Sequence, residues 1–216
     1  MPRNSKLLEE ATPEAIARAG LAIIESRGAT ELSFRAIATD LRVSHTTVLR
    51  RGGGDFNGLV ELVADVLALD LPELPAGCGD WATATEARFT AWYTLLTAYP
   101  GLVMLRGPRP WLGRRLLSRL TEPQLADSVS FGLTAAAAFR CYRELYLYTL
   151  GCAALVEHRD RKPTQLRTRS TLAALDPDEY PVMATHLDVI TDLLTGDAVF
   201  ADGLRRLIAS WAASAT

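Results

Sequence analysis

Residues 31–51, Glu-Leu-Ser-Phe-Arg-Ala-Ile-Ala-Thr-Asp-Leu-Arg-Val-Ser-His-Thr-Thr-Val-Leu-Arg-Arg, constrain the fold more than any other stretch of the chain. Ser33 stands where a helix N-cap belongs, ahead of Phe34 to Ala38, and Ser44 stands likewise ahead of His45 to Arg51. Only Leu41-Arg42-Val43 separates the two helices, which leaves room for a turn and nothing else. Ile37, Ala38, Leu41, Val43 and Val48 can close a small core beneath it. The pattern is that of a helix-turn-helix, whose second helix enters a DNA major groove. Two short capped helices also occur in helical proteins that never touch DNA, so the surrounding chain must weigh in.

It does so by position. The polar residues 1–11, with Arg3 and Lys6, read as a disordered tail or as an arm reaching DNA. Thr12-Pro13-Glu14 then opens a helix with a cap, a proline in the first turn and an acid near the positive dipole end, and Gly28 closes it. Gly52-Gly53-Gly54 ends the second motif helix, and Asp55 can cap a further helix to about Leu69. Pro72, Pro75, Gly77 and Gly79 mark a linker. Helical stretches are expected at 81–98, 111–120, 123–131 and 135–158, with a short helix between Pro100-Gly101 and Gly107-Pro108. The basic run 159–177 reads as an exposed loop. Two helices follow, one from Pro177 or Asp178 to Gly196 and one from Ala198 to Ala213. No strand pattern or internal repeat survives. The expectation is an all-α chain: a helix-turn-helix DNA-binding domain over 1–58, a connecting helix over about 55–69, and a ligand-binding and dimerisation domain over 70–216.

These residues resemble the TetR family of bacterial transcriptional regulators. The matching positions are Ala15, Ala19, Leu21, Gly28, Leu32 to Ala38, Leu41, Val43-Ser44, Thr47-Val48-Leu49 and Leu59-Val60. Leu145 to Cys152 and Phe200 to Ile208 are similar to the last long helices of the tetracycline-repressor branch. The resemblance implies a dimeric repressor released from its operator by a small molecule. Departures mark the recognition helix: Arg42 stands where members carry glycine, and Leu49 where they carry an aromatic. Arg51 to Phe56 lacks the family's aromatic-x-x-lysine. Residues 101–110 keep the family's Arg-Pro end without its histidine, so the magnesium–tetracycline mode does not carry over and neither a metal nor a cofactor is expected.

Charge is consistent but quiet. The chain of 216 residues is 49% hydrophobic with a net charge of −2. Residues 1–60 hold eight lysines and arginines against seven acids, a net of +1, so non-specific DNA affinity should be modest. Cys78, Cys141 and Cys152 show no metal-binding spacing and read as free thiols of a cytoplasmic protein. No signal-peptide core opens the chain, and Leu145 to Val156 is too short to span a membrane, which takes about 20 residues.

The candidate residues follow. His45, Thr46, Thr47 and Arg50 are placed to read base edges, and Ser33, Arg35, Ser44 and Arg51 to hold phosphates. Phe89, Trp92, Tyr93, Met104 and Trp111, with Arg106 and Arg109, are the candidate effector pocket. Residues of this kind at helical spacing also build plain cores. Tyr142, Tyr146, Thr149 and Ala153 with Phe200, Leu204, Leu207, Ile208 and Trp211 are the candidate dimer interface, the alternative being a central helix buried wholly within a monomer. No nucleophile–base pair, paired carboxylates or metal cluster argues for an enzyme. The expected partners are double-stranded operator DNA, a small-molecule effector and a second copy of the chain, with no membrane. The competing reading is a helical dimer that senses a ligand or protein partner but has weak or lost DNA binding.

Overall fold

A computed structural model describes residues 11–155, 161–195 and 198–214. The possible arm at Arg3 and Lys6, and the end of the helix expected to reach His158, lie outside the described residues. Every regular element among those described is helical.

The N-terminal elements begin where the capping residues say they should. α1 (Pro13–Arg27) starts on Thr12, whose side chain accepts from the Ala15 N–H at 3.1 Å. α2 (Phe34–Leu41) starts on Ser33, which accepts from Ala36, and α3 (His45–Arg51) on Ser44, which accepts from Thr47. α4 (Phe56–Leu67) starts on Asp55, which accepts from Gly58 at 2.7 Å. Each such bond satisfies one of the orphan donors of a first turn, worth about 1 kcal/mol. The Gly52–Gly54 turn needs glycine for a concrete reason. Gly53 has φ +104°, and a Cβ there would lie 2.4 Å from the Gly58 backbone. Ile16, Ile24, Ile37, Val48, Leu59 and Val63 are fully buried and join the four helices into one core.

Beyond a strap over 71–80 come α5 (Trp81–Ala98), α6 (Leu102–Arg106) and α7 (Arg114–Leu116). α7 continues through a π-turn over 117–121 into α8 (Glu122–Ser130). α9 (Ala135–Leu155) and α13 (Ala198–Ser214) pack on α5 and on each other. The strap is fastened by a buried polar network. Arg88 donates to the carbonyls of Leu74 and Pro75, to Gln124, and to Asp127 at 2.6 Å, while Asp127 also accepts from the Gly77 N–H. The linker marked by Pro72, Pro75, Gly77 and Gly79 is therefore pinned to α5 and α8.

Two expectations are corrected. The basic segment read as a loop over 159–177 contains α10 (Arg161–Ala173), because Pro163 falls in its first turn, where a missing N–H costs nothing. The single helix expected from Pro177 to Gly196 is α11 (Pro181–Thr185) followed by α12 (Leu187–Thr195). α10 packs on α12, joined by Gln165 to Asp192 at 2.8 Å and by the Arg169–Asp188 ion pair.

Candidate nucleic-acid interface and effector site

The helix-turn-helix presents a narrower polar face than the sequence suggests. Ser44, His45, Thr46 and Arg50 are exposed on α3, and Arg35 is exposed on α2, while Ser33 is half-buried and spent as a cap. Thr47 is turned inward and 7% exposed, with its hydroxyl 2.8 Å from the Ser44 hydroxyl, so it is withdrawn as a base reader. Its neighbour Val48 is fully buried, and adjacent positions can share the wide inward side of an amphipathic helix. Arg51 is half-buried and donates to the Ala11 carbonyl at 2.9 Å, which ties α3 to the start of α1 instead of offering it to a phosphate. Arg42 is not among the sequence candidates for DNA contact. It is exposed in the turn in the left-handed conformation (φ 54°), a backbone state that costs a non-glycine residue about 1 kcal/mol. Arg35, Arg42 and Arg50 have no acidic partner among the described residues. His45 lies edge-on to Phe34, with ring centroids 6.0 Å apart.

Behind this face, α4 joins the two halves of the molecule through charge. Glu61 accepts from Arg106 Nη2 at 2.6 Å, with Arg109 Nη1 3.9 Å away. One turn on, Asp65 accepts from the Arg115 backbone N–H at 2.9 Å, and the Arg115 guanidinium bridges Asp65 and Glu14 of α1. Arg18 of α1 pairs with Asp70 at 2.6 Å beyond the end of α4. Arg106 is the buried member, 2% exposed, and it also donates to the carbonyls of Arg109 and Pro110. Burial lowers its pKa from the ordinary guanidinium value, partly opposed by Glu61. A buried arginine of this kind must keep its partners or suffer the full cost of desolvation.

Most of the aromatic candidates meet around that arginine. Trp111 lies under the Arg106 guanidinium, 5.1 Å from it, and edge-on to Trp92 at 5.3 Å. Phe89 packs against Tyr142, and Tyr142 stacks on Tyr146. Tyr146 is also within electrostatic reach of Arg106, and burial pushes its phenol above the ordinary value. Three polar atoms here are buried without a hydrogen-bond partner: Trp92 Nε1, Arg106 Nε and Tyr146 Oη. Tyr146 was read from the sequence as an interface residue and belongs instead to this box. Three pocket candidates are placed elsewhere. Met104 is 67% exposed, Arg109 is exposed toward Asn57, and Tyr93 stacks on Phe200 at 3.8 Å toward α13. The cavity between Arg106, Trp111 and α4 is only about 10 Å³, because the side chains fill the box themselves. Larger open grooves of about 580 Å³ and 520 Å³ lie on α5 and beside the strap.

The dimer candidates are corrected in the same way. Tyr146, Thr149, Ala153, Phe200, Leu204 and Ile208 are buried within one chain, and Tyr142 bonds Thr121 at 2.8 Å. Periodicity marks an apolar helix side without saying which neighbour covers it. Leu207 and Trp211 remain half-exposed, Trp211 donating to Glu144 of α9. The apolar residues left open on α9 are Phe139, Leu147 and Leu155.

Among the described residues no group of histidine, cysteine or acidic side chains could hold a metal, and no helix is long and apolar enough to cross a membrane. The model of the tetracyclin repressor-like C-terminal domain matches residues 71–213. No curated protein sequence matches the chain at a significant level. Similar solved structures include ActR from Streptomyces coelicolor in complex with actinorhodin, 22% identical, with TM-score 0.79, covering 94% of this chain and 98% of that one. ActR in complex with (S)-DNPA is 23% identical, with TM-score 0.78 and coverage of 95% and 98%. A TetR variant from Acinetobacter baumannii AYE in complex with minocycline is 19% identical, with TM-score 0.64 and coverage of 93% and 96%.

Proposed function

The chain belongs to the TetR family of regulators, and from that premise we propose that it is a dimeric, DNA-binding transcriptional repressor released from its operator by a small molecule. One observation carries the reading. A recognition helix with an exposed Ser44–Thr46 and Arg50 edge is linked, through α4 and its Glu61–Arg106 ion pair, to a buried aromatic box with unpaired donors. Residues up to 58 act as the DNA-binding unit, α4 as the connector, and residues from 70 onward as the sensing and pairing unit. The complexes of ActR with actinorhodin and of the TetR variant with minocycline support a ligand-binding role for a chain of this fold.

In this account His45, Thr46 and Arg50 read base edges, and Ser44, Arg35 and Arg42 contact phosphates. The outward sides of α9 and α13, with Leu147, Leu155, Leu207 and Trp211, pair with their copies in a second chain. Ligand binding need not touch DNA. It must only favour an arrangement of α4 in which the two recognition helices lose their spacing. Moving the population from 1:99 to 99:1 takes about 10⁴-fold tighter binding to the released state. DNase footprinting on DNA upstream of the chain's own coding sequence tests the reading. Two protected half-sites about 34–36 Å apart are expected. Protection without sequence preference, or none, would leave the chain as a helical sensor without an operator.

A further inference from the structure

We propose that the groove on the outer side of α5 binds a linear diamine, with one ammonium on Asp70, the other on Glu86 and the methylene chain lying between them. The site is across α5 from the aromatic box and does not depend on the DNA-binding reading. Phe89 and Trp92 are wholly buried on the inner side of the helix, whereas Ala87 and Thr90 are exposed on the outer side. The groove encloses about 580 Å³. Ala87, Thr90, Ala91 and Leu95 form its floor, small or apolar side chains at helical spacing that leave a trough along the helix. Asp70 and Glu86 line it, and no lysine, arginine or histidine does. The two acids stand toward opposite ends. Glu86 is in the second turn of α5, and Asp70 is within electrostatic reach of Tyr99, just past the helix end. From Glu86 to Leu95 the helix rises about 13 Å. That separation is too wide for one metal ion or one ammonium to serve both acids, and the floor between them suits methylenes.

Each acid already has an arginine, but from outside the groove. Asp70 Oδ2 accepts from Arg18 of α1 at 2.6 Å, and Glu86 Oε1 accepts from Arg205 of α13 at 3.2 Å. A carboxylate has a second oxygen, which can accept from a donor in the trough. The Arg18 and Arg205 side chains are 40% and 57% exposed, so either can turn to water at little cost, since exposed ion pairs contribute little. A diammonium chain brings its two charges to the side of the acids that faces the trough. There it competes with Arg18 for Asp70, and a bound diamine loosens one of the ties between α1 and the end of α4.

The test is calorimetric titration of the full chain with 1,8-diaminooctane, long enough to reach both acids, and with octylamine, which lacks the second charge. The diamine should bind at least about tenfold more tightly, the difference expected of one charge-assisted hydrogen bond. Glu86→Gln should remove that advantage. Ala87→Phe, which fills the trough and leaves both acids in place, should abolish binding of both amines. Arg18→Gln should tighten diamine binding by about threefold, a gain that a misfolded variant cannot produce. Equal affinity for the two amines would overturn the proposal, and so would binding of neither. Wild-type diamine affinity in Glu86→Gln and Ala87→Phe would also overturn it, marking the binding as general attraction to surface acids. No titration involves DNA, so a failure of the operator reading is registered separately.

Discussion

Gly203 is the most constrained contact between α9 and α13, and replacing it with alanine sets two effects of opposite sign against each other. A Cβ at Gly203 would stand 1.9 Å from the Tyr148 hydroxyl oxygen and 2.5 Å from its Cζ, far inside ordinary contact. Tyr148 cannot simply swing away. Its hydroxyl donates to the Val199 carbonyl at 2.7 Å, with the Phe200 carbonyl at 3.2 Å, and its ring stacks on Phe200. Alanine in a helix interior gains about 1 kcal/mol over glycine. Overpacking costs roughly 1–3 kcal/mol, and the lost hydroxyl bond about 1 kcal/mol more. The net is a loss of about 1–3 kcal/mol, or a fall in Tm of roughly 2–12 °C for a chain of this size. Thermal unfolding by circular dichroism reads it. In a Tyr148→Ala background the clash is gone, and Gly203→Ala should then stabilise by about 1 kcal/mol. Stabilisation in the wild-type background would refute the close approach of the two helices.

Other perturbations separate the remaining parts of the account. Asp127→Ala leaves Arg88 buried without its carboxylate and the Gly77 N–H unpaired; it should cost about 3–5 kcal/mol in the same unfolding assay. Leu147→Glu should give a folded monomer by size-exclusion chromatography with light scattering, whereas Leu204→Glu, fully buried in one chain, should unfold the protein. Cys78 should react with a thiol reagent at neutral pH, while Cys141, whose thiol burial pushes up to about 12, should stay protected in the native chain. Because the folded-state value of Cys141 is raised, its contribution to stability is complete below the ordinary thiol value of 9.0. That contribution is lost as pH rises toward about 12, so the wild-type chain should lose stability across this range more steeply than Cys141→Ala.

The local elements were legible where chemistry is local. Thr12, Ser33, Ser44 and Asp55 each announce a helix start, and each makes the capping bond that its type is suited to make. Orientation was less legible. The short α3 turns Thr47 toward the core although its hydroxyl suggests a groove, and Arg51 finds the Ala11 carbonyl 40 residues away, a contact no spacing rule contains. α10 was hidden because its lysine and arginines read equally well as a solvated loop or a solvated helix face. The aromatic residues between 89 and 111 were visible as a cluster, but the contribution of Tyr142 and Tyr146 to the same box depends on how α9 crosses α5. Glu61 was invisible as a partner of Arg106, since the pair is 45 residues apart and only the packing of α4 on α6 unites them.

The claim on which the rest depends is that α3 reads DNA through Arg50. Fluorescence anisotropy with the chain's own upstream DNA and a scrambled duplex of equal length measures it. The account predicts that the wild-type chain prefers its own site by about 10³-fold or more, and that Arg50→Ala loses roughly 1–3 kcal/mol on that site with little change on the scrambled one. Equal affinity for the two duplexes, or an Arg50→Ala loss that is the same on both, would contradict it.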